Sequence, residues 1–159
     1  MFNNLKSFEE FCISESFNIK PVNWDLVKNN DIENIYRFII DNNTYLVFFK
    51  IPIRDNKPTI VDFGIHDANT NNIVYTMTKT GNVYTVLMTV IDTIKDFISR
   101  NDPYGIEFSA RKDINDKDSK SRATVYTRLV KKFMPSHYNL TMRDTGHEIH
   151  YTLIKNPKT

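Results

Sequence analysis

The run from Ile73 to Phe133 limits the possible folds more than any other part of the chain. IVYTMT has the branched and aromatic residues of a strand, Lys79-Thr80-Gly81-Asn82 is a glycine turn, and VYTVLMTVIDTIKDFI follows it. Within that last segment Val83, Val86, Leu87, Val90, Ile91, Ile94, Phe97 and Ile98 recur at i, i+3, i+4 and i+7. This predicts a long helix whose apolar stripe is wide enough to pack hard against a sheet. GIEFSA is then a short buried strand, and SRATVYTRLVKKF a second amphipathic helix. A strand that enters a glycine turn and leaves it as a helix aims backbone N–H groups at one point, the usual cradle for a phosphate.

The flanking segments supply the rest of a layered domain. Ser7 and Glu10 form a capping box for a short first helix that carries Leu5, Phe8, Phe11 and Cys12 on one side. Pro21 to Asn30 reads as irregular, anchored by the ring of Trp24. Ile35–Ile40 and Tyr45–Ile53 are β-rich runs joined by Asp41-Asn42-Asn43-Thr44, a strong turn signal. Thr59–His66 is a third strand, with Val61, Phe63 and Ile65 on one face and Ile60, Asp62, Gly64 and His66 on the other. Ile73–Thr78 is the fourth strand and Tyr104–Ser109 the fifth. Asp118 or Ser119 caps the second amphipathic helix, whose inner face is Arg122, Val125, Tyr126, Leu129, Val130 and Phe133. Tyr138–Arg143 and Glu148–Ile154 close the chain as a hairpin around Asp144-Thr145-Gly146. The expected order is α-ββββ-α-β-α-ββ: one α/β domain over residues 1–159, a single mixed sheet flanked by helices. Its core spans 35–154, and residues 1–30 supply an N-terminal helix and irregular segment.

Composition narrows the setting. A chain of 159 residues with 40% apolar and 13% aromatic side chains has material for one packed core. The one cysteine, Cys12, excludes an internal disulfide, fits a reducing compartment and belongs to an apolar helix face. No apolar run is long enough to span a bilayer, and MFNNLKSFEEFC lacks a basic region followed by an apolar one. The expectation is a soluble cytoplasmic protein without membrane contact. Richness in Asn, Lys and Ile fits an AT-rich coding genome, as in many phages and low-GC bacteria, which places the expected compartment in a host cytoplasm or a virion.

Net charge is +2, but Arg111 to Lys132 holds eight bases against three acids. Such polarisation suits an anionic ligand, although a solvated helix face is the commoner cause. The interspersed acids and the lack of interleaved aromatics argue against nucleic acid. His147 and His150 flank Glu148 and Ile149 on opposite strand faces, with no further ligands at metal-site spacing, so no metal is expected.

In the order of its elements, and in the glycine turn between the fourth strand and its helix, residues 35–154 resemble the GCN5-related N-acetyltransferase (GNAT) superfamily. The resemblance implies that acetyl-CoA is held by its pyrophosphate on the backbone of Lys79, Thr80, Gly81, Asn82 and Val83, with Arg122 as a further phosphate or carboxylate clamp. It also implies that Tyr126, in SRATVYTRL, protonates the departing thiolate, with Asp62 or His66 as base and Glu107 as a third choice. The turn departs from the family pattern: Thr78 stands where Arg or Gln is usual, and Val83 where a small residue lets a diphosphate approach. Ser119 replaces an expected Asn. The turn is therefore degenerate. The first expectation is a phage- or mobile-element-encoded GNAT-like module that works by protein binding or self-assembly, without catalysis. The alternative is an acetyl-CoA-dependent N-acyltransferase acting on a small amine or a protein amine.

Overall fold

The computed structural model of the protein describes residues 20–74, 83–111 and 126–157. They form a single mixed, open sheet of eight strands with two helices. Five strands come first: β1 (Asp25–Asn29), β2 (Glu33–Ile40), β3 (Asn43–Lys50), β4 (Thr59–Asp67) and the short β5 (Asn72–Val74). Helix α1 (Val83–Asn101) and strand β6 (Gly105–Arg111) follow. Helix α2 is described over residues 126–133, and β7 (Tyr138–Asp144) with β8 (Glu148–Lys155) makes the last hairpin. The expected first helix and its Cys12 lie outside the described residues, as does the start of α2. No helix among the described residues is long and apolar enough to cross a membrane.

The sheet order is β1-β2-β3-β4-β6-β8-β7, with β5 hydrogen-bonded to β4 off this path. Strands β1 to β5 are an antiparallel meander, and β6, β8 and β7 are antiparallel to one another. The β2–β3 turn is a two-residue connection in which Asp41 and Asn42 both take positive φ, 49° and 64°. Asx residues tolerate that conformation, and it matches the twist of a tight hairpin.

The one parallel junction joins β4 to β6. It consists of two residue pairs, Thr59 with Ile106 and Ile60 with Glu107. Beyond it the strands part: the far end of β4 pairs with β5 instead, Ile65 opposite Val74 and His66 opposite Ile73. The sequence expects the fourth strand over Ile73–Thr78, of which 75–78 lie outside the described residues. Its described start is corrected: the 72–74 segment turns back antiparallel on β4 through Asn69–Asn71, where Asn71 adopts φ 55°. The parallel partner of β6 is therefore the third expected strand. A second correction concerns 25–29. It is an edge strand on β2, with a register irregularity between Leu26 and Lys28. Its residues are mostly exposed, so it lacks the apolar alternation that announces a strand.

Both helices lie on one face of the sheet. Val86, Val90, Ile91, Ile94 and Phe97 of α1 are all nearly inaccessible. Phe97 stacks on Phe49 of β3 with centroids 4.5 Å apart, Phe49 meets Tyr36 edge-on, and Tyr36 meets Trp24 edge-on. Trp24 does anchor its segment, since its indole Nε1 donates to Asp92 of α1 at 2.8 Å. Polar atoms inside this layer are paired. The Tyr36 hydroxyl donates to Asp96 at 2.6 Å, and Arg100 donates to Asp96 at 2.9 Å and to buried Asn34 at 3.0 Å. Across the junction a second aromatic group gathers, Phe108 of β6, Tyr126 of α2 and Tyr151 of β8. The opposite sheet face carries no helix among the described residues, and Ile39 and Ile60 stand exposed on it.

Candidate functional site at the β4–β6 fork

β4 and β6 part after two residue pairs, and the two sheet faces beside this fork carry different groups, aromatic on the helix side and polar on the open side. Glu107 is the last residue of β6 paired to β4. Phe108, the next, points to the helix face and is buried. Tyr126 stands edge-on to it with centroids 5.5 Å apart, and edge-on to Tyr151 at 5.4 Å. The sequence puts Tyr126 on the inner side of α2, and the structure buries it to 2% exposure. Its hydroxyl oxygen is fully enclosed and has no hydrogen-bond partner among the described residues. Burial first, and the neighbouring Tyr151 second, push its pKa far above the ordinary tyrosine range, so the proton stays on oxygen at any physiological pH. By contrast the Tyr151 hydroxyl shares a hydrogen bond of 2.9 Å with Thr127. An enclosed hydroxyl without a partner is uncommon, because it forfeits its bonds to water for nothing in return.

The expected bases lie on the other face. Asp62 is on β4 and faces away from the helices, as alternation predicts, but its carboxylate is 3.5 Å from Lys50 Nζ on β3 and 43% exposed. His66, near the far end of β4, has Nε2 2.9 Å from the Asn71 side chain. These are partners of a cross-strand ion pair and of a turn, and the structure does not bring them to Tyr126. Lys79, Thr80, Gly81, Asn82 and Arg122 lie outside the described residues. Val83 is the first residue of α1.

A cluster that sequence reasoning passes over sits on that same open face, on β6 and β8. Ser109 Oγ is 2.8 Å from His150 Nδ1, and His150 Nε2 is 3.2 Å from Glu148 Oε2. The two strands hold it by register, since Ser109 lies opposite His150. Its only trace in the sequence is the Glu148-Ile149-His150 spacing, which puts Glu148 and His150 on one strand face. Its third member comes from 41 residues away. Among the described residues no group of three or more His, Cys, Asp or Glu is arranged to hold a metal ion.

No family model matches the chain, and neither a curated protein nor a solved structure matches it.

Proposed function

We propose that this chain is a GNAT-like acyltransferase module that passes an acyl group from acetyl-CoA to an amine. The observation that carries the reading is the enclosed, partnerless Tyr126 hydroxyl beside a parallel strand pair that separates after two residue pairs. A meander, a helical crossover to a parallel strand, a second helix and an antiparallel closing hairpin agree with it. Acetyl-CoA would supply the activated thioester; buried as it is, the Tyr126 phenol is too weak an acid to protonate a thiolate outright, so it would act on the leaving sulfur as a hydrogen-bond donor. Its pyrophosphate would fall to the backbone of Lys79 to Val83. Positioning at the fork and exclusion of water by Phe108 and Tyr151 would carry most of the rate.

Calorimetric titration with acetyl-CoA and CoA, together with an amine acetylation assay, tests this reading. Binding and transfer are expected in the wild type. Tyr126→Phe should keep cofactor affinity and lose about 100-fold in kcat, the scale for removing one hydrogen-bond donor from a developing charge. The same variant should also raise the urea midpoint, by about 1–3 kcal/mol of stability, because it deletes an unsatisfied buried hydroxyl. An unchanged kcat removes Tyr126 from the chemistry, whatever happens to stability.

The aromatic packing favours a second reading. Phe108, Tyr126 and Tyr151 fill the helix side of the fork, and Asp62 and His66 are engaged elsewhere. In that reading the chain is a degenerate, non-catalytic relative, phage- or mobile-element-encoded, that binds a protein or its own copies. Absence of any heat with acetyl-CoA would select it.

A further inference from the structure

Ser109, His150 and Glu148 have the connectivity of a nucleophile, a base and the group that orients the base. The hydrogen-bond phase of the β6–β8 ladder explains why they meet. Lys155 N donates to Tyr104 O, so Tyr104, Ile106, Phe108 and Ala110 direct their backbone groups at β8. Ser109 and His150 are then a non-hydrogen-bonded pair, the kind in which opposing side chains come closest. In the neutral tautomer that carries its proton on Nε2, that N–H donates to Glu148 Oε2 and Nδ1 accepts from the Ser109 hydroxyl. The Glu148 backbone is fixed in turn at the hairpin turn, where its N–H donates to the Thr145 hydroxyl at 3.2 Å and its carbonyl accepts from the Thr145 N–H at 2.9 Å.

The same phase turns the N–H of Ser109 the other way, toward β4. Pairing between β4 and β6 ends at Glu107, so among the described residues no strand meets that N–H. A substrate carbonyl that reaches this N–H would find there a donor for the oxyanion that forms when Ser109 attacks it.

We propose that Ser109 is the nucleophile of an acyl-transfer site on the open sheet face, with His150 as its base and Glu148 as a positioning residue, acting on small activated esters or thioesters. Ser109 Oγ attacks the acyl carbonyl, and its proton passes to His150 Nδ1. The new Oγ–C bond forms, the bond to the leaving group breaks, and that group departs with the proton from His150. Water, deprotonated by His150, then releases the acid and restores the hydroxyl. The charged residues that register places around the base are Glu148 on its own strand, Glu107 on β6, and Arg143, its partner on β7.

This proposal needs no cofactor and stands or falls apart from acetyl-CoA binding. The test incubates the full chain with p-nitrophenyl acetate and with a fluorophosphonate, and follows nitrophenolate release and peptide mass. The expected result is a single modified residue, Ser109. Ser109→Ala should abolish labelling, His150→Gln should slow acylation about 100-fold, and Ser109→Cys should restore a burst. Glu148→Gln should lower the acylation rate and displace its pH profile while the half-saturating ester concentration stays unchanged. All three positions are at least partly solvent-accessible strand sites, so far-UV circular dichroism should match the wild type. Labelling spread over lysines, or equal turnover by wild type and Ser109→Ala, overturns the proposal.

Discussion

Phe97→Ala is expected to cost about 3–5 kcal/mol of stability, the range for a buried aromatic truncated in a core. Phe97 is 1% exposed and stacks on Phe49, which closes a continuous chain of rings through Tyr36 to Trp24. Removing the ring leaves a void under the last turns of α1, where Asp96 and Arg100 tie the helix to Tyr36 and Asn34. Those bonds hold the helix in place, so the void has little freedom to collapse. Urea unfolding followed by Trp24 fluorescence gives the midpoint directly. Ile39→Ala is the control: Ile39 is 61% exposed on the uncovered face, so its truncation should change stability by about 0.5 kcal/mol or less. Similar losses at both positions would mean that α1 does not pack on β3 as described.

Alkaline pH should unfold this protein unusually early for a chain with one cysteine. Tyr36, Tyr126, Tyr138 and Tyr151 all have raised pKa values, in each case chiefly through burial. For Tyr138, which donates to the Pro103 carbonyl at 2.7 Å, the value is pushed up to about 12, with Asp102 adding to it. A raised phenol pKa contributes stability that is fully present below the unfolded value near 10 and is lost as pH climbs toward the folded value. Above pH 10 the unfolded chain releases protons that the native chain retains. Each such tyrosine therefore removes about 1.4 kcal/mol per pH unit. Several acting together are enough to exhaust a typical domain stability between about pH 10 and pH 12. Urea midpoints measured across this interval, alongside spectrophotometric tyrosine titration, check the expectation. Smooth ionisation of every tyrosine near pH 10 with no loss of structure would contradict it.

Periodicity made the layers legible. The stripe from Val83 to Ile98 foretells α1, and the Asp41–Thr44 turn signal foretells the β2–β3 hairpin, although the turn is two residues shorter than expected and sets Ile40 opposite Asn43. Face alternation in β4 is also read correctly, with Asp62 and His66 away from the helices. Three things were hidden for physical reasons. Strand β1 is solvated on an edge, so it needs no apolar pattern. The partner of a strand is a long-range choice, and nothing local in Ile73–Thr78 says that its start folds back on β4. Ser109, His150 and Glu148 share a site only because β6 and β8 are in one particular register, and a shift of one residue would move each side chain to the opposite face. Tyr126 was visible as an inward-facing residue, but the isolation of its hydroxyl depends on which rings surround it.

The seam between β4 and β6 has a mechanical consequence. Two residue pairs, Thr59 with Ile106 and Ile60 with Glu107, are all that the described strands share across it, whereas ladders of seven pairs run on either side. A force that pulled the two halves of the sheet apart would meet its weakest main-chain resistance there, so side chains packed beneath the helices carry more of the join.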